Sequence, residues 1–192
     1  LDGGSTINEA TYTIESEDII LNNPTKTGYT FLGWSGTDIE GMSTNVVIPS
    51  GSIGNRTYTA NWQVKTYTIT YELDGGITTN VTTYTIESET IVLSNPTKEH
   101  YDFVGWQLDG EKITEIAKGS YGDKILVAIW DAEIYTITYK LNGGVNNSSN
   151  VAEYTVESET ITLLNPTKAH YDFIEWQLNG KKFDKNTKLY KD

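Results

Sequence analysis

The sequence predicts a mainly β protein made of small tandem modules, and three observations carry that prediction. The same blocks of residues return at a nearly fixed spacing. The chain between them alternates apolar and polar residues over short runs. Those runs are bounded by Asp-Gly, Asn-Gly and Asn-Pro turns. Composition agrees: 13 Tyr and abundant Thr favour strands, with only 4 Pro and 1 Met in 192 residues.

The repeat is explicit. Tyr-Thr-Ile-Glu-Ser-Glu at 12–17 returns 72 residues later at 84–89, and after a further 70 as Tyr-Thr-Val-Glu-Ser-Glu at 154–159. Asn-Pro-Thr-Lys at 23–26 returns with the same displacements at 95–98 and 165–168. Residues 84–110 match 154–180 at 20 of 27 positions, too many for convergence of a generic strand pattern. The expected domains are repeat 1 over 1–62, repeat 2 over 66–130 and repeat 3 over 134–192. Only repeat 2 is complete by this reading: repeat 1 lacks an opening strand and repeat 3 a closing one. With Leu1 in place of Met, that suggests a piece of a longer array. Linkers of three residues, 63–65 and 131–133, carry no Pro- or Gly-rich run and predict a semi-rigid string of beads.

Within repeat 2 the elements follow in order. Residues 67–71, Tyr-Thr-Ile-Thr-Tyr, alternate strictly and form the opening strand. Leu-Asp-Gly-Gly at 73–76 is a turn, since glycine enters positive φ without steric cost. Residues 83–86 return as a second strand, predicting a hairpin. Residues 89–95 are short, β-branched and closed by Asn-Pro, which argues against a long helix. Residues 100–108 and 111–113 flank Asp109-Gly110, a hairpin signal kept as Asn179-Gly180 in repeat 3. Residues 125–130 close the unit. A core this small needs large aromatic side chains. The expected core is Trp34, Trp62, Trp106, Trp130, Trp176, Tyr84, Tyr101, Tyr154 and Tyr171.

Taken together, Tyr-Thr-Ile-Thr-Tyr, Leu-Asp/Asn-Gly-Gly, Asn-Pro-Thr-Lys, Tyr-x-Phe-x-Gly-Trp and a closing Trp, in that order, resemble the Listeria–Bacteroides repeat, the unit of the internalin B-type B repeat. The resemblance spans nearly the whole chain. It implies a β-grasp-like, ubiquitin-related module (α+β by family) with a reduced helix. It also implies an origin in a bacterial cell-surface or secreted protein, where such modules occur in tandem for adhesion or spacing. The family brings no catalytic residues. Repeat 3 departs from the pattern at Glu175, where the other copies have Gly33 and Gly105.

Charge and motifs exclude several functions. A net charge of −12 repels a phosphate backbone, so nucleic acid is not an expected partner. The absence of Cys removes disulfides, thiolate chemistry and Cys-ligated zinc, and no apolar run is long enough to insert in a membrane. There is no nucleophile elbow, P-loop or dinucleotide fingerprint, and no cofactor is expected. His100 and His170 align with Gly28, which a required ligand or base would not do, so they are expected to be exposed loop residues. The pairs Glu15/Glu17, Glu87/Glu89 and Glu157/Glu159 offer two carboxylates on one side of a strand. Such a pair is a weak calcium candidate, set against a solvated strand end. Trp34, Trp106 and Trp176 are a core row or a sugar-stacking platform. Lys181, Lys182, Lys185, Lys188 and Lys191 are the candidate contact for an anionic polysaccharide, or a solvated tail.

One difference between copies is sharper. The outer face of the closing strand reads Thr57, Thr59 and Asn61 in repeat 1 but Ile125, Val127 and Ile129 in repeat 2. The apolar version is expected to be covered by a loop or a neighbouring module; the alternative is an exposed sticky patch. The functional expectation is a non-catalytic, extracellular stalk. The alternatives are a module binding a host protein or glycan, and a filament subunit joined by strand complementation.

Overall fold

A computed structural model describes residues 1–183 and turns these patterns into fifteen short strands, with no helix among the described residues. Repeat 1 supplies β1 (Ile19–Ile20), β2 (Tyr29–Gly36), β3 (Val47–Ile48) and β4 (Tyr58–Val64). Repeat 2 supplies β5 (Thr66–Glu72), β6 (Thr83–Thr85), β7 (Ile91–Val92), β8 (Tyr101–Leu108), β9 (Glu111–Ile113), β10 (Glu115–Ile116) and β11 (Lys124–Ala132). Repeat 3 supplies β12 (Tyr135–Thr136), β13 (Glu153–Tyr154), β14 (Gln177–Leu178) and β15 (Lys181–Lys182). The chain divides into two compact units. One is Leu1–Leu73, Thr78–Ser94 and Gly105–Ala128; the other is Asp74–Ile77, Asn95–Val104 and Ile129–Asp192.

In the first unit, β2 and β4 pair antiparallel over repeat 1, with a register shift between Phe31 and Gly33. Gly33 has φ 146°, and a Cβ there would lie 3.0 Å from the Ser43 backbone nitrogen, so the bulge needs glycine. The core beneath is Leu21, Trp34, Val46, Ile48 and Ala60. In repeat 2 the strand order is β6-β5-β11-β8-β9, with β5 and β11 parallel. The opening and closing strands therefore lie side by side. Ile69, Tyr84, Leu93, Trp106, Ile116, Leu126 and Ala128 are buried. Asp109 and Gly110, at φ 52° and 85°, form the expected tight turn between β8 and β9.

In the second unit, β12 pairs with β13 and β14 with β15. Among the described residues, repeat 3 holds fewer strand residues than repeat 2. Glu175, which replaces the bulge glycine, accepts a hydrogen bond from its own neighbour Gln177 at 2.8 Å.

Among the expected core residues, Trp34, Tyr84 and Trp106 are buried, while Trp62, Trp130, Trp176, Tyr101 and Tyr154 are half-buried. Tyr171 is corrected outright: it is 69% exposed. Its counterparts Tyr29 and Tyr101 each donate to a Glu of the following repeat, as described below. The outer face of β11 also differs from expectation. Ile125 is 55% exposed and sits beside Thr70 of β5, which is exposed too, whereas Val127 and Ile129 are half-buried.

An asparagine in each copy replaces part of a strand ladder. Asn80 accepts from the Ser94 N–H at 2.8 Å and donates to its carbonyl at 2.9 Å. Asn8 does the same to Asn22, and Asn150 to Leu164. One side-chain amide thus satisfies both polar groups of a residue that has no strand neighbour.

Leu126 is fully buried. Leu126→Ala should cost about 2–5 kcal/mol in urea unfolding, whereas Ile125→Thr on the exposed face should stay within about 0.5 kcal/mol. Equal losses at both positions would contradict the face assignment.

Candidate functional site: the joint between repeats

The motif blocks that define the repeat converge in space on one lysine. Lys98, from Asn-Pro-Thr-Lys, places its Nζ 2.7 Å from Asp74 of the Leu-Asp-Gly-Gly turn, and its side chain is only 14% exposed. The same Nζ lies 3.8 Å from the centroid of the Tyr101 ring and 5.9 Å from that of the closing Trp130. Lys26 repeats this with Asp2 at 2.9 Å, Tyr29 at 4.0 Å and Trp62 at 5.9 Å. Its hydrogen bond and charge hold the Asp2 carboxyl below the ordinary carboxylate value. In repeat 3 the turn residue is Asn142, and Lys168 donates to its backbone carbonyl at 2.8 Å, while its Nζ stands 4.3 Å from the Tyr171 ring.

The tyrosines under Lys26 and Lys98 reach into the next repeat. The Tyr29 hydroxyl donates to Glu87 at 2.6 Å, and the Tyr101 hydroxyl donates to Glu157 at 3.1 Å. Both acceptors are the first Glu of the Tyr-Thr-Ile/Val-Glu-Ser-Glu block. The block starts as the end of β6 and then turns after Thr85, so the two glutamates sit on a turn rather than on the strand expected for them. The Thr85 N–H donates to Ser88 Oγ at 3.0 Å, the Ser88 N–H to the Thr85 carbonyl at 3.1 Å, and the Glu87 N–H to Thr85 Oγ1 at 3.2 Å. Residues 13–16 and 155–158 are built alike.

The turn sends its two carboxylates to different partners. Glu87 meets Tyr29, and Glu89 accepts from Lys118 at 2.6 Å. Glu15, Glu17 and Glu159 are exposed. No group of three His, Cys, Asp or Glu side chains that could hold a metal occurs among the described residues.

The residue before that tyrosine supplies the second tie. Gly28 and His100 both have positive φ, 79° and 64°. The carbonyl of Gly28 accepts the N–H of Lys65 at 2.8 Å, and that of His100 accepts the N–H of Glu133 at 2.9 Å. Each linker is thereby pinned to the preceding repeat. The alternation of Gly and His is explained by this backbone conformation rather than by imidazole chemistry. His100 is not the exposed loop residue expected. It is half-buried, with Nδ1 2.9 Å from the Tyr135 hydroxyl. His170, at φ 65°, is exposed.

A Cβ on Gly28 would fall 2.7 Å from Ile86 Cγ2, so repeat 2 fills the space that glycine leaves. Lys181 and Lys182 are exposed on β15. Lys185, Lys188 and Lys191 lie outside the described residues.

The geometry defines a class: a tandem array of one small β module whose copies are tied by a repeated Tyr–Glu hydrogen bond and a pinned linker. The Listeria-Bacteroides repeat domain matches residues 1–60, 67–129 and 135–192, and the chain belongs to this family. It is 30% identical over 179 residues to a putative membrane protein of Evansella cellulosilytica, covering 91% of this chain and 26% of that protein. A putative Gly-rich membrane protein of the same organism is 28% identical over 182 residues, or 91% of this chain and 20% of that protein. Internalin H of Listeria monocytogenes is 36% identical over 83 residues, 43% of this chain and 15% of that protein. The chain thus spans about a quarter or less of the length of these relatives. No solved structure matches.

The joint tyrosines should titrate late. The Tyr29 phenol is pushed up by its hydrogen bond to Glu87, and Tyr101 by desolvation and then its bond to Glu157. Tyr135 is pushed up to about 12, chiefly by its hydrogen bond to Glu133. A raised phenol pKa stabilises the folded joint fully below the unfolded value of about 10, and that contribution disappears as pH rises through the folded values. An ultraviolet tyrosinate titration should show phenols ionising late, one fewer in Tyr29→Phe. A titration in which every phenol ionises near its ordinary value would count against the joint. Independently, Lys98→Met keeps the apolar stem but loses the ion pair and ring contact, and should cost about 1 kcal/mol in urea unfolding.

Proposed function

We propose that this chain is a non-catalytic spacer segment, part of the stalk of an extracellular, adhesin-like bacterial protein held at the cell surface or secreted. The observation that supports this most directly is the joint. The same two hydrogen bonds, from tyrosine to glutamate and from linker N–H to carbonyl, recur between repeats 1 and 2 and between repeats 2 and 3. A protein that needed only tethered binding heads would have no use for a joint rebuilt at each junction. A spacer needs one, because reach depends on limiting rotation at every junction. The names of the relatives, membrane protein and internalin, fit a surface location. The strand order in repeat 2, second-first-closing-third-fourth with the central pair parallel, supports a β-grasp-like module. Its crossover from β6 to β8 runs through turns and β7 instead of a helix.

Neighbouring repeats are the partners this reading requires; a host protein or glycan is the alternative. Distance distributions between spin labels on adjacent repeats should be narrow in the wild type and should broaden in Tyr29→Phe and Tyr101→Phe. A wild-type distribution already as broad as that of the variants would sink the spacer reading. So would saturable binding to host cells or a glycan array that maps to one patch of a single repeat.

A further inference from the structure

The three copies hold their central lysine differently, and the difference falls on one peptide bond. Asp2 and Asp74 stand at φ 47° and Asn142 at φ 49°, so the Leu-Asp/Asn-Gly-Gly turn enters the same left-handed conformation in all three. In repeats 1 and 2 the lysine ammonium pairs with the aspartate side chain, at 2.9 and 2.7 Å. In repeat 3 the turn residue is an amide, and Lys168 Nζ instead donates to the main-chain carbonyl of Asn142 at 2.8 Å. That carbonyl belongs to the peptide whose nitrogen is that of Gly143. A cation on the oxygen stabilises the negative charge that collects there when the N–H loses its proton, which makes the nitrogen a readier nucleophile. An electrophile is adjacent, the side-chain amide of Asn142. The turn is closed by the Gly144 N–H, which donates to the Leu141 carbonyl at 2.9 Å, a bond in which the Gly143 nitrogen takes no part. Asn142 and Gly143 are both exposed, and glycine, at φ 82°, has no side chain to hinder rotation of the peptide toward Cγ.

We propose that Asn142 is a self-modification site, deamidated by attack of the Gly143 nitrogen on its side chain, with Lys168 as the group that promotes the attack. A bond forms between Gly143 N and Asn142 Cγ, the Cγ–Nδ2 bond breaks, and the proton shed by the Gly143 N–H leaves with the side-chain nitrogen as ammonia. Water then opens the cyclic imide, its hydroxyl going to one carbonyl carbon and its proton to the nitrogen released. Nothing is oxidised or reduced, and solvent water is the co-reactant. Opening at Cγ leaves aspartate in an unaltered backbone, whereas opening at the main-chain carbonyl leaves isoaspartate, with one methylene added to the backbone. Aspartate at this position is the residue of repeats 1 and 2. Its carboxylate draws Lys168 off the carbonyl and into the ion pair that Lys26 and Lys98 make. Repeat 3 is thus synthesised with an uncharged turn residue beside its lysine and acquires the charged one with time.

Peptide mapping by mass spectrometry of the full chain, held at mildly alkaline pH and sampled over days, tests this. Asn179-Gly180, the same dipeptide on the exposed turn between β14 and β15, is the internal reference. Asn142 should lose its amide several-fold faster than Asn179 in the wild type. Lys168→Met should bring Asn142 down to the rate of Asn179, and Lys168→Arg, which keeps the cation, should hold it up. Unfolding of repeat 3 by a variant would speed both sites together, so a change confined to Asn142 reports the lysine. The Asn142→Asp chain should unfold at higher urea than the amide, and adding Lys168→Met should abolish that gain. An Asn142 that keeps its amide, or that reacts equally fast in Lys168→Met, overturns deamidation promoted by Lys168. An Asn142→Asp chain no more stable than the amide overturns the ion pair as its consequence. None of these outcomes bears on the tyrosine–glutamate and linker bonds that carry the spacer reading.

Discussion

A single ammonium group, Lys26 in repeat 1 and Lys98 in repeat 2, organises each module around it. An exposed ion pair alone contributes little, because water screens it and two long side chains must be ordered. Here the lysine stem is sheltered and the cation also faces the ring of Tyr101 or Tyr29, with the closing Trp behind. Four segments distant in sequence thereby meet: the Leu-Asp-Gly-Gly turn, the Asn-Pro-Thr-Lys turn, the start of β8 or β2, and the closing strand. In a module too small for a large core, one such junction fixes several loops together. The tyrosine it positions is also the residue that engages the next repeat, so internal packing and coupling between repeats share a side chain.

This explains which features were legible in the sequence. The repeat, the strand-rich architecture and the Asp-Gly hairpin follow from residue type and local spacing, and those determine local backbone. The roles of Glu87 and Glu157 do not, because each depends on a tyrosine 58 or 56 residues earlier in another copy. The apparent freedom at position 28/100 had the same origin. Gly and His look unrelated as side chains, but both occupy a left-handed backbone whose carbonyl does the work. Asn8, Asn80 and Asn150 recur at the repeat spacing, but their neighbours differ and an Asn in a loop ordinarily signals a turn, so their role is not visible in the sequence.

Tyr171 teaches the complementary lesson. Alignment with Tyr101 suggested core, but Tyr101 is half-buried partly because the next repeat covers it. Burial in an array is a property of position in the array as well as of the module. Ile125 makes the same point for a sheet face: apolar residues at alternate positions predict a strand, yet only the neighbouring layer decides whether the second face is covered.

The close approach of Ile86 to Gly28 leaves no room for a side chain at the first junction. Genes built of near-identical repeats lengthen and shorten by unequal recombination, which splices the front of one repeat to the back of another. A splice that set a His100-type residue against the Ile86 turn would drive its Cβ onto the isoleucine. Exchanges that keep glycine opposite that isoleucine are the ones this junction accepts, so the joint leaves a record of which rearrangements were tolerated.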